Sequence, residues 1–308
     1  MPLTINLSGY ILLIPQVTVT DRLKNYYELT KPKIWYLLVF TAFGSAITAS
    51  YSTDTFLSPL QWVFLLVGIV TGSAAADALT GYNDRDIDAI MDRTKARPIP
   101  SGRLTPTNAF WFGVALEVLG SLELWLGVNA LTSLLGIATI ALYLFAYTPL
   151  KQKTWWSTTI GAFPGAIPPL IGFAGAANTL TPEAWALFGI LFFWQFPHFY
   201  AIAWMYREDY ARAGIQMLPV VEPDGESTAR QILVYSLLLI PISLMPKWLG
   251  MTGSLYMVGA LVMGLAFLYA GVRVTFDRTR VRARRVLLAS VLYLPVLYGL
   301  MVLDPARL

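Results

Sequence analysis

The sequence predicts an all-α, polytopic membrane protein with nine transmembrane helices. Three observations carry that expectation. Hydrophobic residues make up 56% of the 308-residue chain, and charged residues only 13%, about half of the roughly 25% found in soluble domains. The apolar residues are gathered into stretches near the roughly 20 residues a helix needs to cross the hydrocarbon core. Nearly all basic residues lie in alternate connections between these stretches. Backbone polar groups must be satisfied inside lipid, so spans this long are helical. The short alternating segments of a β-barrel are absent from the sequence.

The nine spans read as 34–50, 60–80, 109–127, 130–148, 158–176, 184–206, 230–246, 248–271 and 286–303. The seventh is the shortest, with Pro241 and Pro246 blurring its end. In the fifth, Pro164, Pro168 and Pro169 interrupt a glycine-bearing run, a break tolerated where backbone lines a cavity. Of the 22 Lys and Arg, all but Lys247 and Arg307 fall before span one or in loops 2–3, 4–5, 6–7 and 8–9. The positive-inside rule puts those segments and the N-terminus in the cytoplasm. The expected location is a plasma membrane. Residues 3–19 have no basic n-region and do not read as a signal peptide. Residues 1–25 are expected to be an N-terminal extension, and 26–308 one membrane domain.

This composition excludes a disordered chain, a disulfide scaffold and a nucleic-acid-binding protein with a dense basic face. The absence of cysteine removes thiolate catalysis, iron–sulfur clusters and cysteine-ligated zinc. The net charge of +4 is mainly the topology signal.

Two polar clusters stand out. At the cytoplasmic end of span two, Asp84, Asp86, Asp88 and Asp92 fall within nine residues, after the intramembrane Asp77. At about 100° per residue, a continuing helix puts Asp77, Asp84 and Asp88 within about 40° of one another, with Asp86 nearly opposite. Carboxylates on one face repel unless a cation sits among them. Mg²⁺ is commonly held by one or two carboxylates plus substrate phosphate oxygens, and Arg93, Lys95 and Arg97 follow at once for phosphate. A solvated, charge-balanced loop fits the same residues.

The second cluster ends span six. His198 is the only histidine, and Asp209 lies eleven residues on. One continuous helix would put both on one stripe, about 16 Å apart. Loops 2–3 and 6–7 share a membrane face, so Asp84, Asp88 and Asp209 are expected to converge. The clusters end spans four apart, which suggests two related four-helix halves.

These residues resemble the intramembrane prenyltransferase (UbiA) superfamily, which pairs an N-x-x-x-D-x-x-x-D motif in loop 2–3 with an acidic motif in loop 6–7. The stretch from Asp84 to Pro98 is similar to the first motif. Within the superfamily the resemblance is to the protohaem IX farnesyltransferase branch. It rests on Tyr27–Lys33, Tyr147–Lys151, Ile160–Pro169 and Trp194–Phe199, continuing through Asp209-Tyr210 to Met217-Leu218-Pro219. Thr80 stands where the family has its first Asn. Tyr206 and Tyr210 occupy positions that are aspartates in quinone-type relatives.

The resemblance implies a UbiA-type bundle and transfer of a farnesyl group from farnesyl diphosphate to a vinyl group of haem B. It implies Mg²⁺ on Asp84, Asp88 and Asp209 with Thr80 assisting, and diphosphate on Lys151, Arg93, Arg97, Lys31 and Arg207. Tyr147 is a candidate wall residue near Lys151 that shields the nascent allylic cation from water. His198 is either a haem-iron ligand or an interhelical hydrogen-bonding residue. A haem A synthase or oxidase assembly factors are implied as partners beside the lipid bilayer. Three other readings stay open at this level: a prenyltransferase for a quinone or lipid acceptor, a cation-coupled transporter, and a haem-binding protein without catalysis.

Overall fold

The computed structural model describes residues 4–7, 10–13 and 18–306. An antiparallel hairpin, β1 (Thr4–Leu7) and β2 (Tyr10–Leu13), precedes a helical bundle. In order follow α1 (Val19–Leu29), α2 (Pro32–Thr53), α3 (Pro59–Asn83), the short α4 (Arg85–Ile90), α5 (Pro106–Gly127) and α6 (Ala130–Ala141). The second part holds α7 (Ser157–Gly165), α8 (Pro168–Ala177), α9 (Pro182–Met205), the short α10 (Arg207–Arg212) and α11 (Leu218–Val221), then α12 (Glu226–Trp248), α13 (Ser254–Phe276) and α14 (Arg280–Leu303).

Among the described residues, eight helical segments are long and apolar enough to cross a bilayer, beginning with α3. The first expected span coincides with α2, whose 22 residues reach about 33 Å; it is outside those eight, so the count of nine rests on its length. The other boundaries follow capping chemistry. Ser58 and Gln61 form a capping box ahead of α3, with Pro59 at its first position. Thr105 and Asn129 cap α5 and α6 through their side chains.

Three spans differ from their simple reading. α12 runs through Pro241 and Pro246 to Trp248, because the missing N–H groups cost little where neighbouring helices satisfy the backbone. Consequently α13 begins at Ser254, after a turn with Gly250 at φ 76°. Span four is α-helical only to Ala141; Leu142–Tyr147 is π-helical, then Thr148–Leu150 is a 3₁₀ turn. Span five breaks at Ala166-Ile167, between α7 and α8.

The backbones of α8 and α2 approach closely where these helices cross. Helix α8 is almost wholly buried, and a Cβ on Gly172 would collide with the Ala42 carbonyl oxygen. Ser45 Oγ donates to the Pro169 carbonyl at 2.6 Å in the same crossing, satisfying an acceptor near the helix break. Close backbone approach through small residues is the usual means of joining helices in lipid. The main core gathers α8, α9, α12, α13 and α14 around Trp194, Phe196, Tyr293 and Tyr298.

At the α4 end of the bundle, Arg103 ties α1 to the loop after α4. It donates to Glu28 at 2.7 and 2.8 Å, to Asn25 Oδ1 at 2.7 Å and to the Ala96 carbonyl at 2.6 Å. α1 crosses residue 25, so the segment before the expected membrane domain helps hold the loop that carries Arg93 and Arg97.

Gly172→Ala is expected to destabilise the protein by about 1–3 kcal/mol through overpacking, whereas Gly299→Ala, with open space around it, leaves stability unchanged. Thermal unfolding in micelles, followed by tryptophan fluorescence, reads both. The Arg103 guanidinium holds the Glu28 carboxyl below its ordinary value. Glu28 therefore contributes stability that is present above the unfolded carboxylate value and lost as pH falls through the lower folded one. Below about pH 4 the 93–103 loop should loosen. Limited proteolysis against pH should show that loss in the wild type, and Glu28→Gln should show the loosened loop at neutral pH, an effect of at most about 1 kcal/mol for this part-exposed pair.

Candidate active site

A cavity of about 410 Å³ opens between α2, α3, α6, α7, α8 and α9. The end nearest α4 is charged and the deep end apolar. Lys31, Asp77, Thr80, Asp84, Asp88, Arg93, Arg97 and Lys151 line the first; Gly68, Ile69, Leu124, Gly136 and Ile171 line the second. Along α3, Gly68 lies about 18 Å below Thr80. No residue of α12, α13 or α14 is in this lining. The cavity is lined by the first six spans and by the connections around them.

The acids reach the cavity by helix period. Asp84 closes α3, and its N–H still bonds the Thr80 carbonyl at 2.8 Å. α4 resumes at once, with Asp88 N–H on the Asp84 carbonyl at 2.7 Å. Near-continuous winding puts Asp77, Thr80, Asp84 and Asp88 on one face, as the spacing predicts, while Asp86 is 85% exposed.

Each lining acid has a basic partner from a different segment. Lys31 Nζ bonds Asp77 at 3.1 Å, Lys151 Nζ bonds both Asp84 oxygens at 2.7 and 3.0 Å, and Arg97 bonds Asp88 at 2.7 Å. Asp88 is only 2% exposed. Lys31 takes φ 45° immediately before Pro32. That left-handed conformation is disfavoured for a non-glycine residue and costs of order 1 kcal/mol or more, and it occurs at a lysine lining the cavity.

The π-helical turn shapes the opposite wall. It brings Tyr143 and Tyr147 to the cavity, their rings edge-to-face at 5.8 Å. It also delivers Lys151, whose Nζ lies 4.6 Å from the Tyr147 ring centroid. A Cβ on Gly161 would strike the Tyr147 ring, so glycine in α7 makes room for that wall. The break between α7 and α8 contributes Pro164, Gly165 and Pro168 to the lining, as expected of an interruption beside a cavity.

The second cluster is placed differently from its sequence reading. α9 ends at Met205, and Tyr206 at φ −119° turns the chain into α10. His198 and Asp209 therefore do not share one helical stripe. Asp209 is not in the lining: Arg212 pairs with it and also with Asp92 at 2.6 Å, and the Asp92 N–H approaches Asp209 at 3.4 Å. The two acidic loops thus meet, but at a surface network rather than in the cavity. Arg207 lies flat on Trp204, 4.5 Å from its ring, and donates to the Trp204 carbonyl; it too is outside the lining. Tyr210 does line the cavity, and Arg93 donates to its hydroxyl at 3.3 Å. Burial pushes the Tyr210 phenol up, against the opposing pull of Arg93. Tyr206 has the Arg93 and Arg280 guanidinium carbons 5.2 and 5.6 Å from its ring centroid.

His198 is also outside the lining, although Phe199 and Ile202 of the same helix belong to it. Its Nδ1 meets Ser290 Oγ of α14 at 2.7 Å. Asp77 and Lys31 form a pair that spacing could suggest only for the acid: Asp77 is seven residues before Asp84, but no local pattern points to Lys31. Tyr143 and Ser290 carry no signal in the sequence at all.

Among the described residues no three His, Cys, Asp or Glu side chains gather into a preformed metal centre. The donor chemistry nevertheless fits a hard cation: Asp84, Asp88 and Thr80 offer only oxygen, with no imidazole or thiolate in the lining. Three acids face four bases, an excess of one positive charge. Such an arrangement can accept a phosphate-bearing anion together with a divalent cation, the bases turning to the anion and the acids to the metal.

The UbiA prenyltransferase family model matches residues 37–294. The chain belongs to this family and is a multi-pass membrane prenyltransferase. Its similar relatives are protoheme IX farnesyltransferases. It is 58% identical over 288 residues to that of Solibacter usitatus, covering 92% of this chain and 99% of the relative. It is 42% identical to that of Koribacter versatilis, covering 95% and 97%. A solved digeranylgeranylglyceryl phosphate synthase matches with a TM-score of 0.73 at 18% identity, over 92% of this chain and 98% of its own. A UbiA homologue from Archaeoglobus fulgidus bound to DMAPP and Mg²⁺ matches with a TM-score of 0.60 at 15% identity, over 90% and 99%. At these identities the structures share the fold.

Removing Arg97 leaves a carboxylate buried without its cation. Arg97→Ala is expected to cost about 2 kcal/mol, less than a fully buried pair because Arg97 is part-exposed. Arg97→Ala with Asp88→Ala should regain most of that loss. Thermal unfolding of the two variants beside wild type checks the pair; equal losses in both would mean the ion pair is not what the site rests on.

Proposed function

We propose that this protein transfers a farnesyl group from farnesyl diphosphate to a vinyl group of haem B. The observation that carries this reading is the cavity: a charged cytoplasmic end with paired acids and bases, continuous with an apolar shaft inside the bundle. That shape suits an amphiphile with a diphosphate head and a hydrocarbon tail. The full-length likeness to protoheme IX farnesyltransferases supports haem as acceptor.

In the reaction the allylic C–O bond breaks and diphosphate leaves with the bonding pair. The allylic carbon joins the terminal vinyl carbon of haem, and water adds to the other vinyl carbon, releasing a proton. Negative charge grows on the leaving diphosphate, and preorganised cations at that point lower the barrier. Lys151, Arg97 and Arg93 are placed to bind it, with Lys31 at the membrane end; each exchanges its carboxylate or phenol partner for phosphate oxygen. Asp84 and Asp88, with Thr80 beside them, would hold Mg²⁺, which supplies charge neutralisation to the leaving group. Asp209 joins them only on releasing Arg212. The nascent allylic cation needs a dry wall with electron-rich faces, and Tyr147 and Tyr143 line that stretch.

The acceptor side rests on α9. His198 lies about 40° around that helix from the cavity residue Ile202, at the edge facing α14. The exposed Arg280, beside Tyr206 at the cytoplasmic end of α9, has no carboxylate partner among the described residues and suits a haem carboxylate. The N-terminus and the basic loops face the cytoplasm of a plasma membrane. A haem A synthase or oxidase assembly factor is the partner expected to take the product.

Membranes containing the protein, given haem B, farnesyl diphosphate and Mg²⁺, should yield a farnesylated, hydrated haem by mass analysis. Asp84→Asn and Lys151→Gln should each lower the rate about 100-fold, while Asp86→Asn stays within about twofold of wild type. Chelating divalent cations should abolish turnover. Prenylation of a quinone precursor with no modified haem would refute the acceptor while leaving the prenyl-transfer chemistry standing.

A further inference from the structure

His198 is held by more than one contact, and together they decide which ring nitrogen carries the proton. The Ser290 hydroxyl donates to the Leu287 carbonyl at 2.6 Å. A serine has one hydroxyl proton, and the carbonyl can only accept, so in this bond the proton points at Leu287. What Ser290 Oγ presents to His198 Nδ1, 2.7 Å away, is a lone pair. In that arrangement Nδ1 carries hydrogen and donates. In a neutral imidazole the other nitrogen, Nε2, is then an unprotonated acceptor.

The ring is also fixed out of its plane. Trp194 stacks on it with centroids 4.7 Å apart and planes 24° from parallel. Trp194 is itself anchored, its indole N–H donating to the Ser290 carbonyl at 2.8 Å. Ser290 is fully buried. One residue of α14 thus sets the imidazole directly through its hydroxyl and indirectly through its carbonyl. Nε2 has no hydrogen-bond partner among the described residues, nor is it among the closed-off, unpartnered polar atoms. The histidine is partly exposed at the edge of the cavity-facing side of α9.

We infer that Ser290 is a positioning residue: it locks His198 in the Nδ1–H tautomer, so that Nε2 offers its lone pair to the iron of the haem acceptor. Histidines that bind metals commonly donate their other N–H to a fixed acceptor, which orients the ring and raises its basicity. A histidine serving only as an interhelical hydrogen bond needs no free nitrogen and no indole stacked on it. The inference rests on the haem reading of His198 given above, and it can fail while that reading stands.

The test uses full-length protein in lipid nanodiscs, purified through a histidine-free tag and labelled with ¹⁵N-histidine. The chain has one histidine, so the spectrum reports His198 alone. Wild type without haem should show a protonated Nδ1 and an unprotonated Nε2. Ser290→Ala should give mixed tautomers, and Ser290→Thr, which keeps the hydroxyl, should restore the wild-type pattern. Titration with haem B should give an imidazole-ligated Soret spectrum that His198→Ala abolishes. Ser290→Ala should weaken haem binding about 10- to 100-fold, with Ser290→Thr near wild type. An Nε2–H tautomer in wild type overturns the inference whatever haem does. The expected tautomer with identical haem spectra in wild type and His198→Ala sinks the ligand reading, and the inference with it. Unchanged tautomer and affinity in Ser290→Ala, or loss of both in Ser290→Thr when its thermal unfolding matches wild type, also overturn it.

Discussion

A charge inside a helix bundle surrounded by lipid must find its counter-charge within the protein, and this constraint organises the charged end of the cavity. Asp77, Asp84 and Asp88 share one face of a wound segment, where mutual repulsion would unwind it or force protons on. Lys31, Lys151 and Arg97 answer them from the α1–α2 turn, the end of the π-helical wall and the loop after α4. Pairing draws these distant segments together over one opening. A buried ion pair contributes little net stability, because desolvation offsets most of the Coulomb gain. What it supplies is geometry, and a set of charges ready to change partners.

The same constraint explains where regular structure gives way. A straight helix in lipid leaves no backbone group unsatisfied and makes no cavity. The interruptions here, at Leu142–Tyr147 and between α7 and α8, both border the cavity. π-helical turns recur at functional sites because they re-aim side chains within an otherwise continuous helix. Here the turn points Tyr143, Tyr147 and Lys151 inward. Beside it, the broken segment is held rigid by its buried crossing with α2, where Gly172 lets the backbones touch. An open shaft is thus framed by stiff contacts.

Helices α12–α14 contribute nothing to the cavity lining but close the bundle on α9 and set the His198 edge. The contrast with distant relatives is instructive. At 15–18% identity the arrangement of helices persists, since small residues at crossings and apolar faces can be satisfied by many sequences. Thr80 in the acid-bearing row, Tyr206 and Tyr210 beside Arg93, and a lone histidine on α9 are particulars of this chain.

The sequence by itself determined the class of fold, the positions of most spans and the gathering of Asp77, Thr80, Asp84 and Asp88 on one face. These follow from hydropathy and a 3.6-residue period, which act between near neighbours in the chain. Motif resemblance added the chemistry and pointed to Lys151, Arg93, Arg97 and Tyr147, all of which line the cavity. Tertiary structure decided the rest. It ended α9 at Met205, so Asp209 went to Arg212 and Arg207 to the Trp204 face. It paired Lys31 with Asp77 across 46 residues and His198 with Ser290 across 92. Such pairings depend on how helices pack and on which polar group must be satisfied there, and no periodicity in the chain records either.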